Sequence, residues 1–382
     1  MVEVRTADEV TSFRTAIVEG EFEFNMTNPR SRPESHTGVE IHSQPHRWAE
    51  SLRDLEKDPE IERTIHGFSS SRRWLFIGCG SSYYLALVAA ASWKAATGLH
   101  AQAFPASELL LFPDLVLDQG SPPQPVLISR SGATSEILRA GDFLMAKGIP
   151  FVAVTCAAGE ELEKMAATTI RPAAANEEST VMTLSFTSML IAIQYLAAKF
   201  AGNAQFLGSL RDMADASKTF IETASPAVKS FVEAHDFADY FWLGQGPYYG
   251  LACEGALKVK EMSCSYAQSY HTLEFRHGPK SIVGPETLIM FQLSRAGFEP
   301  ERGVLEEVKD LGGTTLVVAH EADQRAREAA DLLLELPLEG DEYAGLAPRI
   351  IPAQLLGLYT GLKKLLDPDN PRNLSRVVTL RE

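Results

Sequence analysis

Three charged residues in one helical segment could carry out proton transfer. Glu254, Lys258 and Glu261 follow one another at spacings of four and three residues within residues 251–262, which places them on one face of a helix. Spacing alone favours a solvated stripe of salt bridges. The small and apolar neighbours, and the Gly-Gln-Gly turn that precedes the segment, favour a partly buried carboxylate beside a lysine, which suits tuned proton transfer.

A histidine on a rigid loop is the second candidate for acid–base chemistry. His277 stands in a His-Gly-Pro segment, where Pro279 prevents a helix from continuing through it. We interpret His271 as a structural or surface residue and His277 as the better general acid or base. The sequence contains no HExxH or other metal-ligand spacing, so we predict metal-independent chemistry and no metal site.

Hydroxyl side chains converge at a turn that could hold an anion. Ser129, Ser131, Thr134 and Ser135 surround a glycine between an apolar run and a helical stretch, where backbone N–H groups and a helix N-terminus attract negative charge. The alternative is an ordinary helix cap, but a cap needs only one hydroxyl.

A second turn, Gly78-Cys-Gly-Ser-Ser, adds Ser82 as a hydroxyl donor. It lacks the third glycine of a dinucleotide fingerprint, and the chain has no P-loop, so we predict no cofactor.

An internal repeat indicates which elements position these residues. Gly78 and Gly244 open equivalent GxG turns, and four apolar runs recur in the second half of the chain at offsets of about 162–166 residues. Such runs are typical of parallel strands buried on both faces, and helical stretches separate them. We predict two flavodoxin-like three-layer α/β/α domains, each with a parallel sheet and related by internal duplication. The alternative is two unrelated α/β segments of similar rhythm.

The expected boundaries are an N-terminal lead-in segment at 1–38, a first domain at 39–218, a second domain at 219–366 and a tail at 367–382 that ends in a short strand. In open α/β sheets, ligands bind at the carboxyl ends of the strands, which is where the candidate residues lie.

Composition limits the classes of partner. The 382 residues carry 35 basic and 50 acidic side chains, a net charge of −15 that disfavours nucleic acid and anionic membranes. Four cysteines without a CxxC pair, no visible signal peptide and no apolar run of membrane-spanning length favour a cytoplasmic protein that contacts no membrane.

Several motifs together resemble the sugar isomerase (SIS) domain family. The chain is similar to the double-SIS isomerase half of glucosamine-6-phosphate synthase and to the tagatose-6-phosphate ketose/aldose isomerase and galactosamine-6-phosphate deaminase group. The motifs that carry the resemblance are Glu40-Ile-His-Ser-Gln-Pro, Gly78-Cys-Gly-Ser-Ser, Ser129-Arg-Ser-Gly-Ala-Thr, Glu254-Gly-Ala-Leu-Lys-Val-Lys-Glu, His277-Gly-Pro and Pro371-Arg-Asn-Leu.

The resemblance implies a role for each candidate residue. Glu261 would move a proton between C1 and C2 of an open-chain sugar, with Lys258 beside it, and His277 would open the ring from a neighbouring subunit, which implies a homodimer. The implied substrate-binding residues are Ser82, Ser129, Arg130, Ser131, Thr134, Glu254 and Arg376.

Two departures from the synthase shape the expected activity. About 40 residues precede the SIS-like part, so we expect no glutaminase domain. Arg376 stands where the synthase has a lysine, and a guanidinium cannot form the corresponding imine.

We therefore expect an isomerase or deaminase of an amino sugar 6-phosphate that uses an enediol-type intermediate. The alternatives are a deglycase of fructosamine 6-phosphates and a non-catalytic sugar-phosphate sensor; the presence of both Glu261 and His277 favours catalysis over the sensor.

Overall fold

The computed structural model describes residues 35–117, 123–175 and 177–380. The expected lead-in segment 1–38 lies outside these ranges except for its last four residues. Ser35 caps the first helix, α1 (His36–Leu55), by accepting a hydrogen bond from the backbone N–H of Gly38 at 3.1 Å. The helical part of the chain therefore begins before the expected domain start at residue 39.

Five parallel strands and the helices between them form the first α/β domain. In chain order the elements are α2 (Pro59–Phe68), β1 (Arg73–Gly78), α3 (Ser81–Thr97), β2 (His100–Pro105), α4 (Ala106–Leu111), α5 (Pro113–Val116), β3 (Gln124–Ile128), α6 (Ser135–Ala146), β4 (Val152–Val154), α7 (Glu161–Met165), β5 (Thr168–Ile170) and α8 (Leu184–Ala201). The strand order is β2-β1-β3-β4-β5, the flavodoxin-like order.

The second domain repeats this arrangement. Its elements are α9 (Ala204–Ala234), β6 (Asp239–Gly244), α10 (Pro247–Ser263), β7 (Tyr266–Tyr270), β8 (Thr287–Gln292), α11 (Phe298–Asp310), β9 (Thr314–Ala319), α12 (Gln324–Ala329), β10 (Leu332–Glu335) and α13 (Ile351–Lys363). Its sheet has the order β7-β6-β8-β9-β10 with every neighbouring pair parallel, which matches the first sheet strand for strand. The prediction of two parallel-sheet α/β domains is confirmed.

Both sheets are buried on both faces. In β1, Trp74 and Phe76 belong to a large central core, whereas Leu75 and Ile77 belong to a separate core on the opposite face. Strand β6 divides its side chains in the same way. The central core contains residues of α1, α3, α8, α9, α10 and α13 together with residues of both sheets, so it joins the two domains.

One described helix, α8, is long and apolar enough to cross a membrane by length and composition alone. The expectation that no segment has these properties is therefore wrong for α8. Within the protein, 83% of this 18-residue stretch is buried, and its side chains belong to the central core. The apolar side chains of α8 are thus buried against other parts of the protein.

Two features bear on the expected organisation. Helix α9 runs without interruption through the expected boundary between residues 218 and 219, with Pro226 inside it, so the position where the first domain gives way to the second stays a prediction. The expected short strand of the tail is wrong for the described residues 367–380, which form turns and bends.

Candidate active site

The first GxG turn brings α3 tightly against the end of β1. Gly80 has a φ of +55°, a conformation that favours glycine, and a Cβ atom at Gly78 would lie 2.3 Å from the carbonyl oxygen of Ser82. The turn therefore requires both glycines, and it places Ser81 and Ser82 at the start of the helix. Because successive helical residues point in different directions, these two serines serve different neighbours.

Ser82 lines a cleft of about 250 Å³ between the ends of β1 and β3, the position where the strand order reverses. We call it the first-sheet cleft. Six of the predicted site residues line it together: Ser82, Ser129, Arg130, Ser131, Thr134 and Arg376.

The hydroxyls of the turn after β3 are not used as an ordinary helix cap. Thr134 occupies the N-cap position of α6, but its side chain makes no capping hydrogen bond and lies 3.3 Å from the hydroxyl of Ser129. Gly132 has a φ of +64°, which bends the backbone at the centre of the turn. This geometry favours the anion cradle over the helix-cap alternative.

Arg130 is held by the protein itself. Its Nη1 atom lies 3.3 Å from the buried carboxylate of Glu177 and donates to the carbonyl of Ser179, while Nη2 donates to the carbonyls of Thr180 and Arg376 at 3.0 Å. Both terminal nitrogens thus brace the wall of the cleft. A direct contact of Arg130 with substrate stays a prediction.

The tail closes one side of the first-sheet cleft. Arg376 donates from Nη2 to the carbonyl of Glu177, and beyond it the carbonyl of Val378 accepts the backbone N–H of Ser135 at 3.3 Å. The hydroxyl of Ser135 accepts the N–H of Leu380 at 3.2 Å. Residues 376–380 therefore lie against the start of α6, which explains why Arg376 reaches the cleft.

The three charged residues of α10 form a buried cluster. The Lys258 ammonium is fully buried and lies 3.1 Å from Oε1 of Glu254 and 2.5 Å from Oε2 of Glu261. It also donates to the hydroxyl of Ser81 at 3.2 Å, across the contact between the two domains. The solvated-stripe alternative is therefore excluded, and the carboxylate–lysine cluster (Glu254, Lys258 and Glu261) is joined to the serine turn of the first-sheet cleft.

Burial determines the ionisation of this cluster. Burial, reinforced by the nearby charge of Glu261, raises the pKa of Glu254 to about 7, although Lys258 opposes the shift. Burial alone would lower the pKa of Lys258, but the two adjacent carboxylates outweigh it and the pKa is raised. Lys258 is therefore held charged, and Glu254 exchanges a proton near neutral pH.

His277 lies outside this group. It is exposed between two short 3-10 turns, Glu274–Arg276 and Pro279–Ile282, and its ring makes no hydrogen bond to the described residues. His271 is half-buried instead, with its ring stacked on Tyr249 at 3.8 Å. The contribution of His277 from a neighbouring subunit stays a prediction. In the part of the chain that the structure describes, no group of three His, Cys, Asp or Glu side chains is arranged to hold a metal ion.

Two residues of the site are missing from the predicted set. Ser81 belongs to the Gly78-Cys-Gly-Ser-Ser motif, but the prediction includes only Ser82, because the sequence does not reveal the different directions of the two side chains. Glu177 lies in a stretch without a recognisable pattern, although its fully buried carboxylate binds Arg130, Thr183 and Ser185. The available signal is a pair of adjacent acids, Glu177 and Glu178, shortly before a long apolar helix.

Comparison with known protein families gives a match in the part of the chain that forms the first-sheet cleft. The family model of the SIS domain matches residues 67–199, from the end of α2 through all five strands of the first sheet into α8. This range contains both hydroxyl-bearing turns of the first-sheet cleft.

Curated relatives and solved structures extend the similarity over most of the chain. Glutamine–fructose-6-phosphate aminotransferase (isomerizing) from Clostridium tetani is 26% identical over 358 residues, which cover 89% of this chain and 58% of that protein. The enzyme of the same name from Pyrobaculum aerophilum is 28% identical over 351 residues, covering 89% and 57%. The chain thus spans less than two thirds of the length of these relatives.

Among solved structures, glucosamine-6-phosphate deaminase from Thermotoga maritima is 28% identical with a TM-score of 0.76, covering 91% of this chain and 100% of that one. Tagatose-6-phosphate ketose/aldose isomerase from Escherichia coli shares the fold, with a TM-score of 0.78 at 23% identity over 89% of this chain and 97% of that one.

Proposed function

We propose that this chain is a metal-independent phosphosugar aldose–ketose isomerase that acts on an amino sugar 6-phosphate, with or without release of ammonia. In this mechanism the first-sheet cleft holds the phosphate and Glu261 transfers a proton between C1 and C2 of the open-chain sugar through an enediol-type intermediate. The similarity to sugar-phosphate isomerases and deaminases supports the reaction class.

One observation carries this proposal: Lys258 joins Ser81, in the turn that bears the first-sheet cleft, to the carboxylate of Glu261. A proton transfer beside a carbonyl needs a base fixed relative to the anchored end of the substrate. Glu261 retains 17% exposure of its side chain while Lys258 and Glu254 retain none, so it is the member of the cluster that a substrate can reach.

The remaining residues have supporting roles. Lys258 orients the Glu261 carboxylate and supplies positive charge beside it, and Glu254 lies against the same ammonium on the buried side. His277, exposed within its own chain, is assigned to ring opening in the site of a second copy.

The test is proton exchange measured directly. Glucosamine 6-phosphate, galactosamine 6-phosphate and the matching ketose phosphates are incubated with the protein in heavy water, and deuterium at C1 and C2 is followed by NMR alongside an ammonia assay. We expect exchange with at least one substrate, and its loss by at least about a hundredfold in Glu261→Gln, the range that general base catalysis supplies. Glu233→Gln, an exposed carboxylate at the end of α9, is the matched control and should behave as wild type.

The other outcomes separate the alternatives. Interconversion of a ketose phosphate and its aldose phosphate without ammonia identifies an isomerase, and conversion of an amino sugar phosphate and water into a ketose phosphate and ammonia identifies a deaminase. Turnover of a fructosamine 6-phosphate adduct alone would identify a deglycase. If the wild-type chain binds a sugar phosphate but catalyses no deuterium exchange at C1 or C2, the chain is a sensor and not an enzyme.

A further inference from the structure

The second sheet has its own counterpart of the first-sheet cleft. Its GxG turn repeats the backbone of the first, since Gly80 and Gly246 have φ, ψ of 55°, −126° and 58°, −126°. The residues that follow β3 and β8 also make equivalent hydrogen bonds to the neighbouring strand. The N–H of Ser129 donates to the carbonyl of Val154 at 3.0 Å, and the N–H of Leu293 donates to the carbonyl of Val318 at 2.9 Å. The strand order again reverses at this point, between β6 and β8, where α/β sheets bind ligands.

Two carboxylates of the chain occupy this counterpart. Glu301 on α11 is fully buried and accepts both the N–H and the hydroxyl of Ser294, each at 2.7 Å. Glu342 accepts the N–H of Arg295 at 2.6 Å and the hydroxyl of Tyr248 at 2.7 Å. Two consecutive backbone N–H groups at a strand-to-helix turn thus bind negative oxygens, which is the way such turns bind phosphate.

The surrounding residues complete a filled anion site. Tyr248 takes the place that Ser82 has in the first turn, and Arg349 lies over its ring at 4.9 Å. Arg349 is buried and bonds to the carbonyls of Leu293 and Val318, which brings positive charge to the turn. A Cβ atom at Gly297 would lie 2.5 Å from Oε1 of Glu301, so the backbone closes around that carboxylate.

We propose that the second domain retains an oxyanion cradle that Glu301 and Glu342 fill, so that the chain binds one phosphate group at the first sheet, and that removing Glu342 opens a second site for a phosphate or phosphate monoester. This inference rests on the proposed function for the assignment of the first-sheet cleft.

Glu342 is the carboxylate that can be removed with least damage. Glu301 belongs to α11 and is fully buried at the turn. Glu342 begins a short 3-10 turn (Glu342–Gly345) and is only half-buried. Arg295 ties this segment down through hydrogen bonds from its guanidinium to the carbonyls of Leu338 and Gly340. Without Glu342, the N–H of Arg295 and the hydroxyl of Tyr248 lose their acceptor, and an external oxyanion can replace it.

Binding stoichiometry tests this inference. Inorganic phosphate and glucosamine 6-phosphate are titrated by equilibrium dialysis into wild type, Glu342→Ala and Glu339→Ala, an exposed carboxylate on the same segment. We expect one bound phosphate per chain for wild type and Glu339→Ala, and two for Glu342→Ala with the second site weaker. Should Glu342→Ala fail to fold, Glu342→Gln removes the charge and should show a larger phosphate-induced rise in Tm than wild type.

The failures can be told apart. Two phosphates bound to wild type, or one bound to a folded Glu342→Ala chain, would overturn the inference and leave the proposed function intact. No phosphate bound to wild type would overturn the proposed role of the first-sheet cleft.

Discussion

Replacing Glu254 by glutamine should change how stability depends on pH. Glu254 is fully buried beside the Lys258 ammonium and near the charge of Glu261. Burial as the main cause, with Glu261 as a second, raises its pKa from 4.5 to about 7. Glutamine has nearly the same shape and resembles the protonated acid, so the Glu254→Gln variant removes the titration with little change in packing.

The sign and size follow from proton linkage. Between pH 4.5 and about 7, the folded chain holds a proton on Glu254 that the unfolded chain has released. The stabilisation is complete below pH 4.5 and is lost as the pH rises through 7. A shift of this size corresponds to about 3 kcal/mol, because each pKa unit is worth roughly 1.4 kcal/mol.

Urea unfolding at a series of pH values between 5 and 9 measures the effect. We expect the free energy of unfolding of Glu254→Gln, relative to wild type, to rise by about 3 kcal/mol from the acid to the alkaline end of the series. Glu233→Gln should show no such trend, since that side chain is exposed. A constant difference between Glu254→Gln and wild type across the range would refute the raised pKa and the arrangement of charges behind it.

Two further predictions concern the subunit contact and the first turn. Co-expression of Glu261→Gln and His277→Ala chains, each inactive alone, should restore about a quarter of wild-type activity, because half of randomly paired dimers contain one intact site; no activity in purified mixed dimers would place His277 outside the partner's site. Gly78→Ala should destabilise the chain by about 1–3 kcal/mol in thermal or urea unfolding, since the new methyl group lies 2.3 Å from the Ser82 carbonyl. Gly67→Ala, with nothing within 4 Å, should be neutral or stabilising by up to ~1 kcal/mol, and equal effects at both positions would contradict the packing argument.

Eight of the described strands could be predicted from the sequence, among them the edge strands β5 and β10, whereas the edge strands β2 and β7 could not. Six of the predicted strands are central, and each of these contains a run of apolar residues because both faces of a central parallel strand are buried. The strands β2 and β7 were missed. Each pairs with one neighbour only and is largely half-exposed, with polar residues such as His100 and Gln268 among apolar ones. A short edge strand of this kind has no run for the pattern to detect.

The sequence identified the charged residues of the site but not their environment. The spacing of Glu254, Lys258 and Glu261 is the same for a solvated stripe and for a buried cluster. What decides between them is a contact between Lys258 and Ser81, which are 177 residues apart. Contacts over such separations depend on how the two domains pack, and local patterns carry no information about that packing. The ion pair between Arg130 and Glu177 could not be predicted for the same reason, since Glu177 does not belong to a recognisable motif.

The two copies of the α/β unit differ in a way that the packing of α3 against α10 explains. With the offset of 166 residues that relates the GxG turns, Glu254 and Lys258 on α10 correspond to Val88 and Ser92 on α3. The helices approach closely where a Cβ atom at Gly250 would lie 2.6 Å from Val88. A second set of charges on α3 would have to be buried in the same core, at a cost of several kcal/mol per ion. Small and apolar side chains on α3 avoid that cost, and Ser82 at the start of α3 lines the first-sheet cleft. In the proposed function the first domain holds the anion and the second supplies the acid–base residues, and the proposed self-filled cradle of the second domain agrees with this division.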